Sequence, residues 1–420
     1  MKSNMKIVIL SDDFPPKSFG GAGIIASNLA RALFNRGHDV TVITVTDDRK
    51  NVGVSKDGGV TIHRLYSSYN LRFRSYMSLC NPQLVKEVGD MLRKVSPDVV
   101  HAHNIHTYIS YASLKEARKY SKSVFLTVHD VMSVHYGKLG ADVDPKGNII
   151  LDTISPWKQI SQYRFYYNPF RNIVIKYYLK SVDRIFSVSG ALKEVLEKKG
   201  IYNIEVLHNG IDVSNWKIEP EALADFKRLH NLGDKRVLFF GGRLSGSKGA
   251  NVAVEVLSNV SEKIKNVVLL VAGEKNKAFD HILKKAEELG VKERVVFTGW
   301  LDHDSIRYAY ASSEAVLVLS QYVDPFPTVN LEAMATERPI IGTIFGGTTE
   351  VVLDAVTGFL VNPRSIEYIS AKVIELLSSI ELSGKFGQAG FERVSNDFSE
   401  DAWVGKTLAY YATILENKNI

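Results

Sequence analysis

Short apolar runs alternate with helix-period segments along most of this 420-residue chain. Lys6–Ser11, Val40–Val45, Gly59–Leu65, Val99–His103 and Val124–His129 each read as a buried strand bounded by turn residues. Between them, Ile25, Leu29, Ala32 and Leu33 recur on one helical face before Gly37 stops it, and Pro82–Val95 and Thr107–Tyr120 have the same period. Asp183–Ser189 is a further strand, Ser189 caps a helix that Gly200 ends, and Ile204–Leu207 is a last short strand. The second half repeats the pattern. Strands are expected at Arg236–Phe240, Val267–Gly273, Val295–Phe297, Ala315–Leu319 and Pro339–Ile341, with a helix to Val260 and another over Thr328–Glu337. Such alternation predicts an α/β protein with a doubly wound parallel sheet in each half, where ligands gather outside the carboxyl ends of the strands.

The length favours two domains of roughly 200 residues. His208-Asn209-Gly210-Ile211-Asp212 marks the junction, dividing residues 1–207 from 208–397. The final segment, 398–420, carries Trp403, Leu408, Tyr411 and Leu415 along one helical face. A lone cysteine, Cys80, cannot form an internal disulfide and favours a reducing, cytoplasmic setting. Residues Met1–Leu10 hold too short an apolar run for a signal peptide, and no run approaches the roughly 18 residues of a membrane span.

Charge is divided unevenly. Residues 1–207 hold 29 lysines and arginines against 18 acids, a net +11, which leaves −5 for the remainder of a chain whose total is +6. The first half therefore favours an anionic neighbour. Between Thr153 and Val182 there is no acidic residue, and Lys158, Arg164, Arg171, Lys176 and Lys180 alternate with aromatics such as Trp157, Phe165, Phe170 and Tyr177. Arg64–Met77 is a smaller counterpart. Two readings stand: a helix with aromatics in the core and cations in solvent, or a surface that meets an anionic membrane or acceptor. No nucleic-acid module is recognised.

Chemistry concentrates after the strands. Gly20, Gly21 and Gly23 follow the first, as a loop for phosphate or as a plain turn; their spacing is not that of a dinucleotide fingerprint. Gly241-Gly242-Arg243-Leu244-Ser245-Gly246-Ser247-Lys248-Gly249 offers two cations and several glycines at a strand-to-helix turn, which suits a diphosphate without a metal. Gly273 and Trp300 end neighbouring strands, where a base ring could rest. Tyr322–Glu350 organises the rest, with Asp324 on a proline-bearing loop and Glu332 within the following helix. His101, His103 and His106 lack the cysteines or acids of a zinc site, so no metal is expected and His101 reads as a buried, hydrogen-bonded ring. His129, followed by Asp130 at a strand end, holds a functional position.

In this order the motifs resemble the retaining glycosyltransferases of family 4, with their GT-B fold. They are Gly20-Gly21-Ala22-Gly23, Pro97–His103, Val128-His129-Asp130, His208–Asp212, Gly242-Arg243-Leu244 with Lys248-Gly249, Asp324–Glu332, Gly346-Gly347 with Glu350, and Thr357–Leu360. The resemblance spans nearly the whole chain. It implies two Rossmann-like domains facing an interdomain cleft, the first for the acceptor and the second for a UDP- or GDP-sugar, with the last helix crossing back to the first.

It also implies catalytic roles for His129, Arg243, Lys248 and Asp324. Substrate would be held by Gly21, Gly23, Asn209, Gly242, Gly273, Trp300, Phe326, Thr328, Val329 and Glu332, with Glu332 on the ribose and no cofactor or metal. Two departures stand out. Asp324 occupies a position where the family usually has glutamate, and Pro327, with no N–H to donate, one where it tends to have glycine. The implied product is a cell-surface polysaccharide or glycolipid, made in the cytoplasm or on the inner membrane face. A soluble disaccharide synthase, a phosphorylase and a non-catalytic nucleotide-sugar-binding protein share the architecture.

Overall fold

The computed structural model describes residues 4–16, 21–137, 142–144, 149–150 and 155–418. The chain divides into two compact units: Met1–Ala141, Leu151–Asn209 and Trp403–Ile420 form the first, Asp142–Ile150 and Gly210–Ala402 the second.

The first unit is built on β1 (Lys6–Ser11), β2 (Asp39–Thr46), β3 (Gly53–Asp57), β4 (Val60–Tyr66), β5 (Val99–His103) and β6 (Ser123–Val128). After a hairpin of β7 (Asp142–Val143) and β8 (Ile149–Ile150), assigned to the second unit, come β9 (Arg184–Ser187) and β10 (Ile204–Val206). Its helices are α1 (Gly21–Asn35), α2 (Arg74–Met77), α3 (Pro82–Val95), α4 (Ser113–Tyr120), α5 (Pro156–Tyr163), α6 (Arg171–Leu179) and α7 (Gly190–Lys198). The strands lie in the order β10-β9-β6-β5-β1-β2-β4-β3. Every neighbour is parallel except β3, which runs antiparallel to β4. This edge strand escapes sequence reading because Gly-Val-Ser-Lys-Asp is almost wholly exposed and offers no apolar alternation.

Alternation along each strand sends Ile7 and Ile9 into one core, where they meet Ile25, Leu29 and Leu33 of α1. The same core takes Trp403, Val404, Tyr411 and Leu415, from the helix that begins at Glu400. Sheet order reverses between β1 and β5, and Asp12 stands at that point. Its carboxylate accepts the backbone amides of Thr107, Tyr108 and Ile109 at 2.6, 3.0 and 2.7 Å. Beyond them Ser110 adopts φ +74°, which a continuous right-handed helix excludes, so the helix expected over Thr107–Tyr120 is only Ser113–Tyr120. Burial raises the Asp12 pKa to about 6 even against three amide donors.

The glycine expectation is corrected at the same edge. Gly21 and Gly23 lie in the first turn of α1 rather than in a preceding loop, and Gly20 falls outside the described residues. The basic aromatic stretch also differs from a single helix with solvated cations. It forms α5, a 3₁₀ turn at Arg164–Tyr166 and α6, and Arg171 is buried while Lys158, Arg164, Lys176 and Lys180 remain exposed.

The second unit holds β11 (Arg236–Gly241), β12 (Val267–Ala272), β13 (Val295–Gly299), β14 (Ala315–Val318), β15 (Ile340–Thr343) and β16 (Gly358–Val361). All run parallel in the order β13-β12-β11-β14-β15-β16, so this order reverses between β11 and β14. Its helices are α8 (Pro220–Leu229), α9 (Ala250–Lys263), α10 (Lys277–Glu288), α11 (His303–Ala311), α12 (Val329–Ala335), α13 (Thr348–Val351), α14 (Ile366–Ser378) and α15 (Ile380–Asp397), with α16 (Glu400–Asn417) beginning here. Leu238 and Phe240 face α9 and α14 in one core, while Phe239 between them meets Tyr310 of α11 on the other face. Both faces of the sheet are therefore covered, as a parallel sheet requires.

The first unit predicts an acid response. His101 is fully buried, with Nδ1 2.6 Å from the Tyr411 hydroxyl and Nε2 2.7 Å from Thr127 Oγ1. Burial lowers its pKa to about 3 and that of His129 to about 4, and it holds His103 well below the ordinary range. Neutral rings are thus favoured in the fold, while the unfolded chain takes up their protons as pH falls below about 6.5. Each ring's stabilising contribution is complete above that pH and declines by about 1.4 kcal/mol per pH unit on acidification, until its folded pKa is reached. Asp12 opposes this with one proton, because its raised pKa favours the fold as pH falls from about 6. NMR of ring nitrogens should show all three histidines neutral at pH 5.5; a titration near 6.5 would refute the arrangement.

Candidate active site

In the second unit the loops after β11 and β14 flank the reversal of strand order, where an open α/β sheet leaves a crevice. Their approach depends on glycine. Gly249 adopts φ +90°, and a Cβ there would lie 2.1 Å from the carbonyl oxygen of Leu319. The Gln321 amide then donates to the Ser247 carbonyl at 2.8 Å, tying the loops together. A third loop closes the arrangement from β15. Gly347 donates its amide to the Asp324 carbonyl at 2.9 Å, and a side chain at Gly347 would strike the Pro325 carbonyl.

At the centre, Lys248 Nζ meets Asp324 Oδ2 at 2.5 Å, and Ser320 Oγ donates to the same oxygen at 2.9 Å. Lys248 also lies 5.6 Å from the Tyr322 ring centre. Burial alone would lower the lysine pKa, but Asp324 and Tyr322 outweigh it and hold the value above normal. Burial, and then Asp324, pushes Tyr322 up to about 12, so its hydroxyl stays protonated. A pocket of about 60 Å³ opens here, walled by Gly242, Arg243, Lys248, Ser320, Asp324, Pro327 and Val329. Arg243 is exposed at its rim. Two cations, one ion-paired and one at the surface, can accept a diphosphate.

Glu332 stands in the first turn of α12 and receives a hydrogen bond from the Tyr310 hydroxyl at 2.5 Å. Burial raises its pKa, while Tyr310 and Thr328 draw it back down. Tyr310 is wedged edge-on against Phe239 and Trp216, at 4.7 and 5.7 Å between ring centres. An ionised carboxylate has about four acceptor sites, so Glu332 can accept from a further hydroxyl beside those of Tyr310 and Thr328.

The remaining expected residues fall in three places. Phe326 is buried, 6.2 Å from the Phe398 ring, while Thr328 and Val329 begin the α12 turn. Gly242, at φ +105°, and Gly273 sit on the carboxyl edge beside β11 and β12, and a Cβ at Gly273 would come within 2.8 Å of the Gly242 carbonyl. Trp300 is largely exposed after β13. The first unit contains Gly21, Gly23, His129 and Asn209, the last buried after β10. There the His129 ring stacks on His103 at 5.3 Å, and His103 Nδ1 lies 3.0 Å from His129 Nε2.

Tyr310, Ser320, Tyr322 and Asp12 join the site or its supports only in the folded chain, and His103, set aside as a metal ligand, packs against His129. Tyr322 and Ser320 stand within a few residues of Asp324, so proximity was a usable signal; Tyr310 has none, because only the fold brings α11 to α12. Among the described residues no group of histidines, cysteines and acids has the arrangement of a metal site.

Two units of parallel α/β sheet, with a crevice built of glycine loops, cations and carboxylates, define a GT-B glycosyltransferase. Residues 19–215 match the family Glycosyltransferase Family 4, and residues 223–393 match Glycosyl transferases group 1. The chain belongs to glycosyltransferase family 4. An uncharacterized glycosyltransferase of Methanocaldococcus jannaschii is 27% identical over 382 residues, 89% of each chain. Sucrose-phosphate synthase from Thermosynechococcus elongatus has the same fold, with a TM-score of 0.77 at 20% identity over 98% of this chain and all of that one. Anabaena HepE, solved with UDP and glucose, gives 0.72 at 16% identity over 97% and 100%.

The clamp on Asp324 is open to test. Gly347→Ala should cost about 1–3 kcal/mol in urea unfolding, since backbone must yield rather than a flexible side chain. An unchanged midpoint would show that the loop after β15 does not hold Asp324.

Proposed function

We propose that this glycosyltransferase is a retaining, metal-independent enzyme. It moves a hexose from a UDP- or GDP-sugar to a hydroxyl of a glycan or lipid-linked acceptor, in cell-surface polysaccharide or glycolipid synthesis. The observation that carries this reading is the Lys248–Asp324 pair at the switch point of the second unit, beside Arg243. As the bond between the sugar C1 and the diphosphate oxygen breaks, negative charge grows on the leaving group, and Lys248 and Arg243 neutralise it. Asp324, released from the lysine, binds hydroxyls of the donor sugar, with the residues from Phe326 to Val329 beside it. Glu332 takes the ribose hydroxyls.

The acceptor oxygen then bonds to C1 on the face the phosphate leaves, and its proton passes to a phosphate oxygen. No protein base is required. His129 is neutral at physiological pH and serves as a hydrogen-bonding partner for the sugar rather than an acid.

An acceptor at a lipid surface is favoured by the outside of the first unit. Trp157 is 80% exposed, and Phe165, Phe170, Ile173 and Tyr177 are also solvent-facing, interspersed with Lys158, Arg164, Lys176 and Lys180. The stretch joins the smaller one: Tyr76 donates to the Phe165 carbonyl at 2.9 Å, and the rings of Phe73 and Tyr166 meet edge-on at 5.6 Å. Exposed aromatics among cations are suited to anionic headgroups. No described helix is long and apolar enough to cross a membrane, so contact of this kind would be peripheral.

Lys248→Ala should lower turnover by about two to three orders of magnitude with the fold intact; a wild-type rate would remove Lys248 from the reaction. Chelator should leave activity unchanged, and a clear loss would refute metal independence. Tyr310→Phe removes a hydrogen bond that lowers the Glu332 pKa, so Glu332 should protonate at higher pH. Nucleotide binding should then fail earlier on acidification than in wild type; superimposable profiles would separate Glu332 from the ribose. Neutralising Lys158, Arg164, Lys176 and Lys180 should reduce binding to vesicles containing phosphatidylglycerol, with a shallower salt dependence. Wild-type protein that ignores such vesicles would favour a soluble acceptor.

A further inference from the structure

Histidine rings run in a row across the ends of β5 and β6, and the proposed reaction uses only His129, the last of them. Alternation along β5 puts His101 and His103 on one face of the sheet, with ring centres 4.4 Å apart. In the sheet register they stand opposite Phe125 and Thr127. Each ring nevertheless bonds two residues further along the neighbouring segment. His101 reaches Thr127, and His103 reaches His129.

The bonding of these two rings differs. His101 has a hydroxyl at each nitrogen, Tyr411 at Nδ1 and Thr127 at Nε2. A hydroxyl can donate or accept, so either tautomer of His101 is satisfied. His103 has less choice. Its Nδ1 lies 3.0 Å from His129 Nε2, and its own Nε2 is buried with no partner among the described residues.

Burial keeps both rings neutral, so each carries one proton on one nitrogen. At 3.0 Å, one of the two facing nitrogens must hold a proton and the other a lone pair. Two arrangements meet that condition. If His129 Nε2 donates, the single proton of His103 lies on its Nε2, where a buried N–H finds nothing to accept it. If His103 Nδ1 donates, its proton is bonded and the orphan at Nε2 is only a lone pair. An orphaned donor is the rarer defect in folded proteins, which favours the second arrangement.

The backbone holds His129 in place for this bond. Its amide donates to Asn104 Oδ1 at 3.3 Å. Asn104 adopts the left-handed φ of +42° and donates from its side chain to Asp130 Oδ2 at 3.3 Å. His129 is therefore fixed at its main chain by Asn104 and at its ring by His103. With Nε2 turned inward, Nδ1 of this half-buried residue is the nitrogen left for a ligand.

We propose that His103 is a positioning residue: it donates from Nδ1 to His129 Nε2 and fixes His129 as the Nδ1–H tautomer. The outward nitrogen of His129 is then a hydrogen-bond donor, and the ligand atom it meets is an oxygen with a lone pair to offer. His129 cannot act there as a base, because its one lone pair is engaged by His103. On the function proposed above, that oxygen belongs to the transferred sugar; this identification alone rests on that function.

Labelling the histidine ring nitrogens of the full chain tests the pair, since long-range proton–nitrogen correlation at neutral pH reads the tautomer of each ring. Both His103 and His129 should be Nδ1–H, the reverse of the form that a free histidine side chain favours in water. His129 found as Nε2–H would overturn the proposal. His103→Phe keeps a ring without its nitrogens and should release His129 into a mixture of both tautomers. A ring that merely fills space predicts no such change, so a His129 that stays wholly Nδ1–H would also overturn it. Should the variant not fold, the wild-type tautomer decides.

Turnover is read separately. With the tautomer released, His103→Phe should lower kcat by about tenfold, the worth of one hydrogen bond. An unchanged kcat in that variant would bear on the place of His129 in the proposed function and not on the pair.

Discussion

The ion pair of Lys248 and Asp324 is the constraint on which the second unit depends. It joins two loops that leave neighbouring strands at the one place where the sheet order reverses. A charge pair this short, half-exposed at Lys248 and buried at Asp324, holds its geometry only if the backbone on each side is fixed. Glycines fix it by omission. Gly249 lets the first loop press on Leu319, and Gly346 and Gly347 let a third loop seat against Asp324 and Pro325. The chemistry of two charged side chains thus rests on three positions that have no side chain.

The first unit applies the same principle differently. Its strand order reverses between β1 and β5, and the groups there are held by a carboxylate that takes backbone amides rather than by an ion pair. Asp12 fixes the loop after β5, and the row of neutral rings His101, His103 and His129 continues along the neighbouring strand ends. Desolvation maintains neutrality, so these rings offer shape and hydrogen bonds without charge. The two reversals of strand order therefore differ in kind: an ion pair in the second unit, buried uncharged rings beside a carboxylate in the first.

Much of this was legible from hydrophobic period and turn chemistry. The bounds of β1, α3 and β5 follow directly from apolar runs closed by proline, glycine or polar residues, and the loops holding Arg243, Lys248 and Asp324 declared themselves by composition. What escaped was set by long-range contact. β3 is polar and pairs with the edge that β4 offers; the loop before Ser113 is held by Asp12, about 100 residues earlier in the chain. Arg171 looked like one more surface cation in a basic stretch, since its neighbours in sequence are exposed. Tyr310 reaches Glu332 only through the packing of α11 on α12, which no local pattern encodes.

On the function proposed above, the pairing of Lys248 with Asp324 makes the site a coincidence detector. A ligand bearing only phosphates can draw the lysine away, but it leaves a buried carboxylate facing incoming negative charge. A sugar without phosphates can satisfy the carboxylate but has nothing to offer the ammonium. Only a molecule that presents both an anion and hydroxyls relieves both partners at once, so the cost of separating them discriminates against either half alone. In such a site selectivity resides in the bond that must be given up, before any new contact with the ligand is counted.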